Sequence, residues 1–78
     1  MTYREKMEEL LTAALEKSRK VAMQPREAKC YPIDEEYTLR VYCYAWMVRN
    51  YQVWYNKTWE CVCHSWTYEW IYYEFLEY

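Results

Sequence analysis

The chain is 78 residues long, with a formal net charge of −2 and a pI near 5.4. These values allow one small domain with a thin core, and they speak against a general nucleic-acid coat protein, which carries a clear positive excess. Aromatic residues make up 22% of the chain, and all but Tyr3 and Tyr31 fall in residues 37–78. Glycine is absent, so turns are expected to rest on Asn, Asp, Pro and Ser chemistry.

Residues 2–22 read as a helix. Thr2 and Glu5 have the spacing of a capping box. Tyr3, Met7, Leu10, Leu11, Ala14, Val21 and Ala22 recur at helical intervals. Lys17, Arg19 and Lys20 lie late, where the helix dipole favours cations, and Pro25 ends the helix soon after. Residues 23–36, with two prolines and mixed charge, read as an irregular connector. Residues 37–48 alternate as a first strand. Arg49-Asn50 is the expected turn, 51–55 a second strand, Asn56-Lys57 the next turn and 58–66 a third strand. For residues 67–78 the Trp, Ile, Tyr and Phe content favours a fourth strand over a helix. The helical alternative would place Tyr68, Ile71, Tyr72 and Phe75 on one face. The expected class is α+β, with an N-terminal helix packed on one face of a three- or four-stranded antiparallel sheet.

Two-residue turns at 49–50 and 56–57 would set Val48 opposite Tyr51, Trp46 opposite Val53 and Tyr44 opposite Tyr55. One face then carries Leu39, Val41, Cys43, Ala45, Met47, Trp54, Trp59, Cys61 and Cys63, and the helix is expected to cover it. The other carries Arg40, Tyr42, Tyr44, Trp46, Val48, Tyr51, Val53, Tyr55, Glu60, Val62, His64 and Trp66, with nothing assigned to cover it. A large apolar face rich in Tyr and Trp suggests a partner site. The candidate binding residues are Tyr42, Tyr44, Trp46, Tyr51, Tyr55, His64 and Trp66, rimmed by the acidic C-terminal segment.

Other chemistry is weaker. Cys61, Cys63 and His64, with Cys30 and Cys43, supply metal-ligating residue types. On a strand, however, the two thiols of C-x-C share one face and His64 points to the other, so buried core thiols are the simpler reading. Cys43 and Cys61 on non-adjacent strands are too far apart to bridge, which leaves Cys30 as the one flexible disulfide partner. His64 is the sole histidine, and its neighbour Cys63 faces away from it, so no nucleophile–base pair is expected and the chain reads as no enzyme. Glu35, Glu36, Glu60 and Glu69 read as solvated surface. The cations Lys17, Arg19, Lys20, Arg26 and Lys29 gather around the helix end rather than on the aromatic face, so nucleic acid is disfavoured as a partner, though single-strand stacking on that face is the alternative reading. No metal and no cofactor is expected.

The charged start "MTYREKMEEL" lacks the apolar core of a secretory signal, and no run reaches the roughly 18 apolar residues of a membrane span. A cytoplasmic location with reduced thiols and no membrane partner is therefore expected. The small, acidic, Tyr-rich, Gly-free make-up resembles the style of small inhibitors encoded by phages and mobile elements, such as anti-CRISPR and other anti-defence proteins. The resemblance is one of composition and not of motif. It implies a non-catalytic protein-binding module that blocks a surface of its target. A homodimeric structural or designed scaffold is the third reading.

Overall fold

The computed structural model describes residues 2–77. Among these the order is α1 (Tyr3–Arg19), β1 (Ala28–Pro32), β2 (Tyr37–Ala45), β3 (Val48–Tyr55), β4 (Glu60–Ser65) and α2 (Tyr68–Leu76). The four strands form one antiparallel sheet in sequence order. The class is α+β, as the sequence suggests. The sheet has four strands because the connector supplies β1, not because the C-terminus adds one.

Helix α1 starts as its sequence dictates. The Thr2 hydroxyl accepts from the Glu5 amide at 3.2 Å, satisfying one donor the first turn would otherwise leave open, and donates to the Glu5 carboxylate at 3.0 Å. Met7, Leu11, Ala14, Leu15 and Ser18 are buried. The helix ends at Arg19, short of residue 22, and carbonyls at and just beyond its end bond to a side chain from the sheet. The Arg49 guanidinium donates to Ser18 O at 2.9 Å and Val21 O at 2.8 Å. Arg49 is thus not a turn residue; it lies in β3 and holds the helix end.

The connector is partly regular. Cys43 N donates to Glu27 O, and Ile33 N donates to Tyr37 O. Bonded pairs alternate along an antiparallel ladder, so Lys29 and Tyr31 bond to β2, while Ala28, Cys30 and Pro32 present their backbone outward. Pro32 has no N–H, so its place on the outer edge costs no ladder bond and shortens the edge open to another strand. The Tyr31 hydroxyl is buried without a hydrogen-bond partner among the described residues. Tyr31→Phe is therefore expected to leave stability unchanged or raise it by up to about 1 kcal/mol, since an unsatisfied buried hydroxyl gives nothing back for its lost hydration. A urea melt of the variant beside the wild type checks this.

The β2–β3 turn lies at Trp46-Met47, not Arg49-Asn50, with Met47 at φ 63°. The β3–β4 loop runs over 56–59 and closes through Trp59, at φ 54°, whose amide donates to Tyr55 O at 2.8 Å. Arg26 takes the third positive φ, 69°. In a chain without glycine, three large residues occupy the left-handed region, at about 1 kcal/mol or more each. Asn56 contributes by bridging rather than by turning. Its side-chain amide donates to Glu35 O at 2.9 Å and its backbone N–H to Glu36 O, tying the 34–36 loop to the hairpin.

This turn changes the pairing. Leu39 lies opposite Val53, Val41 opposite Tyr51 and Arg40 opposite Gln52. Tyr44 is an extra residue on β2, and Val62 an extra residue on β4, where the register shifts between Val53–Cys63 and Trp54–Cys61. The core face therefore carries Leu39, Val41, Cys43, Tyr51, Val53 and Cys63, all buried. Tyr51, Val53 and Tyr55 belong to the core side, and Trp54 and Cys61 to the other. This reverses the expected facing of the second strand.

Residues 68–76 are helical, not a strand. Thr67 caps the helix by accepting from Trp70 N at 3.3 Å. Ile71 and Phe75, four apart, are buried in the core cluster. Phe75 meets the Tyr37 ring edge-on at 5.0 Å. Glu77 at the C-terminal end, unfavourable for the helix dipole, pairs with Arg4 of α1 at 2.7 Å. The Thr12 and Tyr72 hydroxyls, 2.7 Å apart, join the two helices. Both helices pack on the same side of the sheet, and among the described residues no element lies over the other side.

Candidate functional site

The uncovered face is built from alternate residues of β2, β3 and β4. Gln52 is its centre. Its Oε1 accepts from Arg40 at 3.0 Å and from the Trp54 indole at 2.8 Å, and its Nε2 donates to Asn50 Oδ1 at 2.8 Å. Asn50, itself buried, donates on to Ser65 O at 3.3 Å. The Arg40 guanidinium stands 5.8 Å from both the Tyr42 and the Trp54 ring centroids, within cation–π range. The chain of bonds crosses three strands and fixes the Trp54 ring, with Tyr42 beside Arg40. Trp54 packs on Trp59 at 5.0 Å, and Tyr44 meets Trp66 edge-on at 5.9 Å.

Between these pairs lies a shallow groove of about 370 Å³ lined by Tyr42, Asn50, Gln52, Trp54, Cys61, His64 and Trp66. Of the residues singled out from sequence, Tyr42, His64 and Trp66 line this groove, and Tyr44 stands beside Trp66. Trp46 does not join them. It sits in the hairpin turn, 68% exposed. Tyr51 is 7% exposed on the core side, and Tyr55 packs there on Tyr37 at 5.6 Å. The acidic C-terminal segment forms α2 on the helical side and does not rim the groove. Sequence reasoning missed Trp54, Trp59, Gln52 and Asn50. The available signal was the polar alternation Asn50, Gln52 within β3, which is more naturally an outward face than the Tyr51, Val53 set.

The bulge at Val62 separates the two thiols of C-x-C. Cys63 is buried on the core side, and Cys61 reaches the groove with His64. This overturns the expectation that both sulfurs share a face, and it places a thiol and an imidazole along one groove. They form no hydrogen bond with each other: the Cys61 thiol donates instead to Cys63 O at 3.3 Å. Partial burial raises the Cys61 thiol above its ordinary value, outweighing the opposing pull of the Cys63 backbone and Arg40. A thiol so held is the neutral form, not the thiolate a nucleophile needs. Burial, then Cys61 and Glu74, push the Cys63 thiol up to about 12.

The four cysteines are unbridged, Cys43 and Cys63 buried, Cys30 and Cys61 exposed. Among the described residues no group of three His, Cys, Asp or Glu is placed to hold a metal ion. Alkylation with iodoacetamide at about pH 8 is expected to modify Cys30 first and Cys63 only on unfolding. Because the folded state binds the Cys63 proton more tightly than the unfolded chain, its contribution to stability is complete below the ordinary value of 9.0 and is lost as pH climbs towards about 12. Mass-resolved labelling in native buffer and in denaturant reads the order directly.

No described helix is long and apolar enough to cross a membrane. Compared with protein-family models, with curated proteins and with solved structures, the chain matches none.

Proposed function

We propose that this chain is a non-catalytic protein-binding module that works through its uncovered sheet face. One observation carries the reading: both helices pack on the opposite side, leaving Tyr42, Tyr44, Trp54, Trp59 and Trp66 on a face with no element over it. Tyr, Trp and Arg are the residue types that anchor protein interfaces, because they offer large stiff surfaces with a polar handle. Here Trp54 is held before binding by its bond to Gln52 and Tyr42 by Arg40, while Trp59 packs on Trp54 and Tyr44 on Trp66, so part of the side-chain freedom is already lost before association. A module of this kind acts by covering a surface of its target, which is the inhibitor role its composition suggests.

Single-strand stacking is the weaker reading. The one arginine on the face, Arg40, already serves Gln52 and two rings, and phosphate needs cations that are not so engaged.

A photo-reactive phenylalanine analogue in place of Tyr42, with the same group in place of Glu9 on α1 as control, tests the proposal. The expected result is protein adducts from position 42 beyond those from position 9. Adducts to nucleic acid, or equal adducts from both positions, would refute it.

A further inference from the structure

We propose a second surface, separate from the sheet face: the β2–β3 hairpin tip docks on an anionic lipid bilayer, with Trp46 and Met47 entering the interface and nearby cations meeting the headgroups. Met47 is 85% exposed and Trp46 68% exposed. These are the two residues of a sharp turn, so they project, and the hollows they flank, with Ala22, Met23 and Arg49 on one side and with Trp66 and Glu69 on the other, open to solvent. Such a convex apolar tip needs a hollow in a protein partner, whereas a bilayer surface yields around it. Trp is a preferred residue at the membrane–water interface.

Charge favours the same end of the molecule. Arg49 ties the C-terminus of α1 to the hairpin through Ser18 O and Val21 O. Arg26 is joined to the hairpin base by its amide, which donates to Cys43 O at 2.6 Å. Lys17, Arg19, Lys20 and Arg26, all exposed, therefore gather near Trp46 and Met47. Arg19 lies 4.2 Å from the Tyr68 ring, beside the groove that Met47 lines with Trp66 and Glu69. The anions on this side are Glu16, Glu69 and Glu27, and Glu27 is paired with Lys29 at 3.2 Å.

The far end of α1, about 25 Å away by helix rise, is acidic. It carries Glu5, Glu8 and Glu9 against Lys6 and an Arg4 already paired with Glu77, and the acidic 34–36 loop is close enough that Glu36 and Asp34 act on the Tyr3 hydroxyl. A chain of net charge −2 thus has a cationic end, and the apolar tip is on it. An anionic surface would orient the molecule tip first. The absence of a spanning helix does not bear on such a contact, which lies in the interface and does not cross it.

The test is co-sedimentation with vesicles of phosphatidylcholine and of phosphatidylcholine mixed with phosphatidylserine. Two variants accompany the wild type: Trp46→Ser with Met47→Asn, and Lys20→Gln with Arg26→Asn. Asn is used where the backbone is left-handed. The wild type is expected to bind the anionic vesicles and not the neutral ones. The charge variant should bind at least about tenfold more weakly, since each cation near such a surface contributes about fivefold. The tip variant should lose binding while keeping its circular dichroism. Absence of binding to the anionic vesicles, equal binding to both lipids, or unchanged binding by the charge variant would each overturn the proposal. None of these outcomes bears on adducts formed from position 42.

Discussion

Val53→Asp is expected to unfold the chain. Val53 is fully buried between Leu39 of β2 and Cys63 of β4, on the side both helices cover. No cation lies opposite it on either strand. An ionised carboxylate placed there loses its hydration and gains no partner, a penalty of several kcal/mol even after local relaxation. A domain of this size holds only about 3–5 kcal/mol in all, so the folded population should collapse. His64→Asp, one residue away on β4 but on the uncovered side, should keep the fold and lose no more than about 1 kcal/mol. Circular dichroism and a urea melt of the pair read both outcomes. The contrast is informative because simple alternation with a turn at Arg49-Asn50 places Val53 and His64 on the same face. Equal tolerance of the two substitutions would restore that register.

The second large effect is expected at Arg49. Its guanidinium supplies two donors to carbonyls at the C-terminal end of α1, where the helix dipole concentrates negative potential. Met keeps much of the apolar stem and removes both donors. Arg49→Met should lower stability by about 2 kcal/mol, because hydrogen bonds to a charged group exceed neutral ones, Val21 O loses its arginine donor and Ser18 O is left with backbone donors alone. For a chain this short that is a fall in Tm of roughly 10 °C. Arg49→Lys should recover only part of the loss, since an ammonium cannot fork across two carbonyls as a guanidinium does. Hydrogen exchange would place the damage at the last turn of α1 and in residues 20–23. A melt unchanged in Arg49→Met would mean that the helix end is held by burial of Leu15 and Ser18 alone.

Where sequence and structure agree, a local chemical signal was strong. Thr2 and Glu5 mark the start of α1, and the alternation from Leu39 to Cys43 marks the covered face of β2. The register failed for a physical reason. Trp46-Met47 carries none of the residues that favour a tight turn, yet it forms one, with Met47 accepting a left-handed backbone. Asn50, which does favour turns, is buried in the sheet and donates to Ser65 O. Alternation along β2 alone could not expose the error, because both of its faces are aromatic or aliphatic at nearly every position; the polar pair Asn50 and Gln52 on β3 was the signal against it. The single extra residue at Val62 then moves Cys61 away from Cys63. Strand propensity favours a strand for residues 67–78, but Thr67 as cap and the Ile71–Phe75 spacing let residues 68–76 bury more as a helix beside α1. That choice decided the candidate site. Placed on the helical side, the C-terminal segment leaves the other face of the sheet bare.

The most direct test of that bare face is carbene footprinting of the purified chain at low concentration, read residue by residue by mass spectrometry. Heavy labelling of Tyr44, Trp59 and Trp66 is predicted, with Leu39, Tyr51 and Val53 protected. Labelling of Tyr51 and Val53 with protection of Trp59 and Trp66 would contradict the account, because the covered and uncovered faces would then be exchanged.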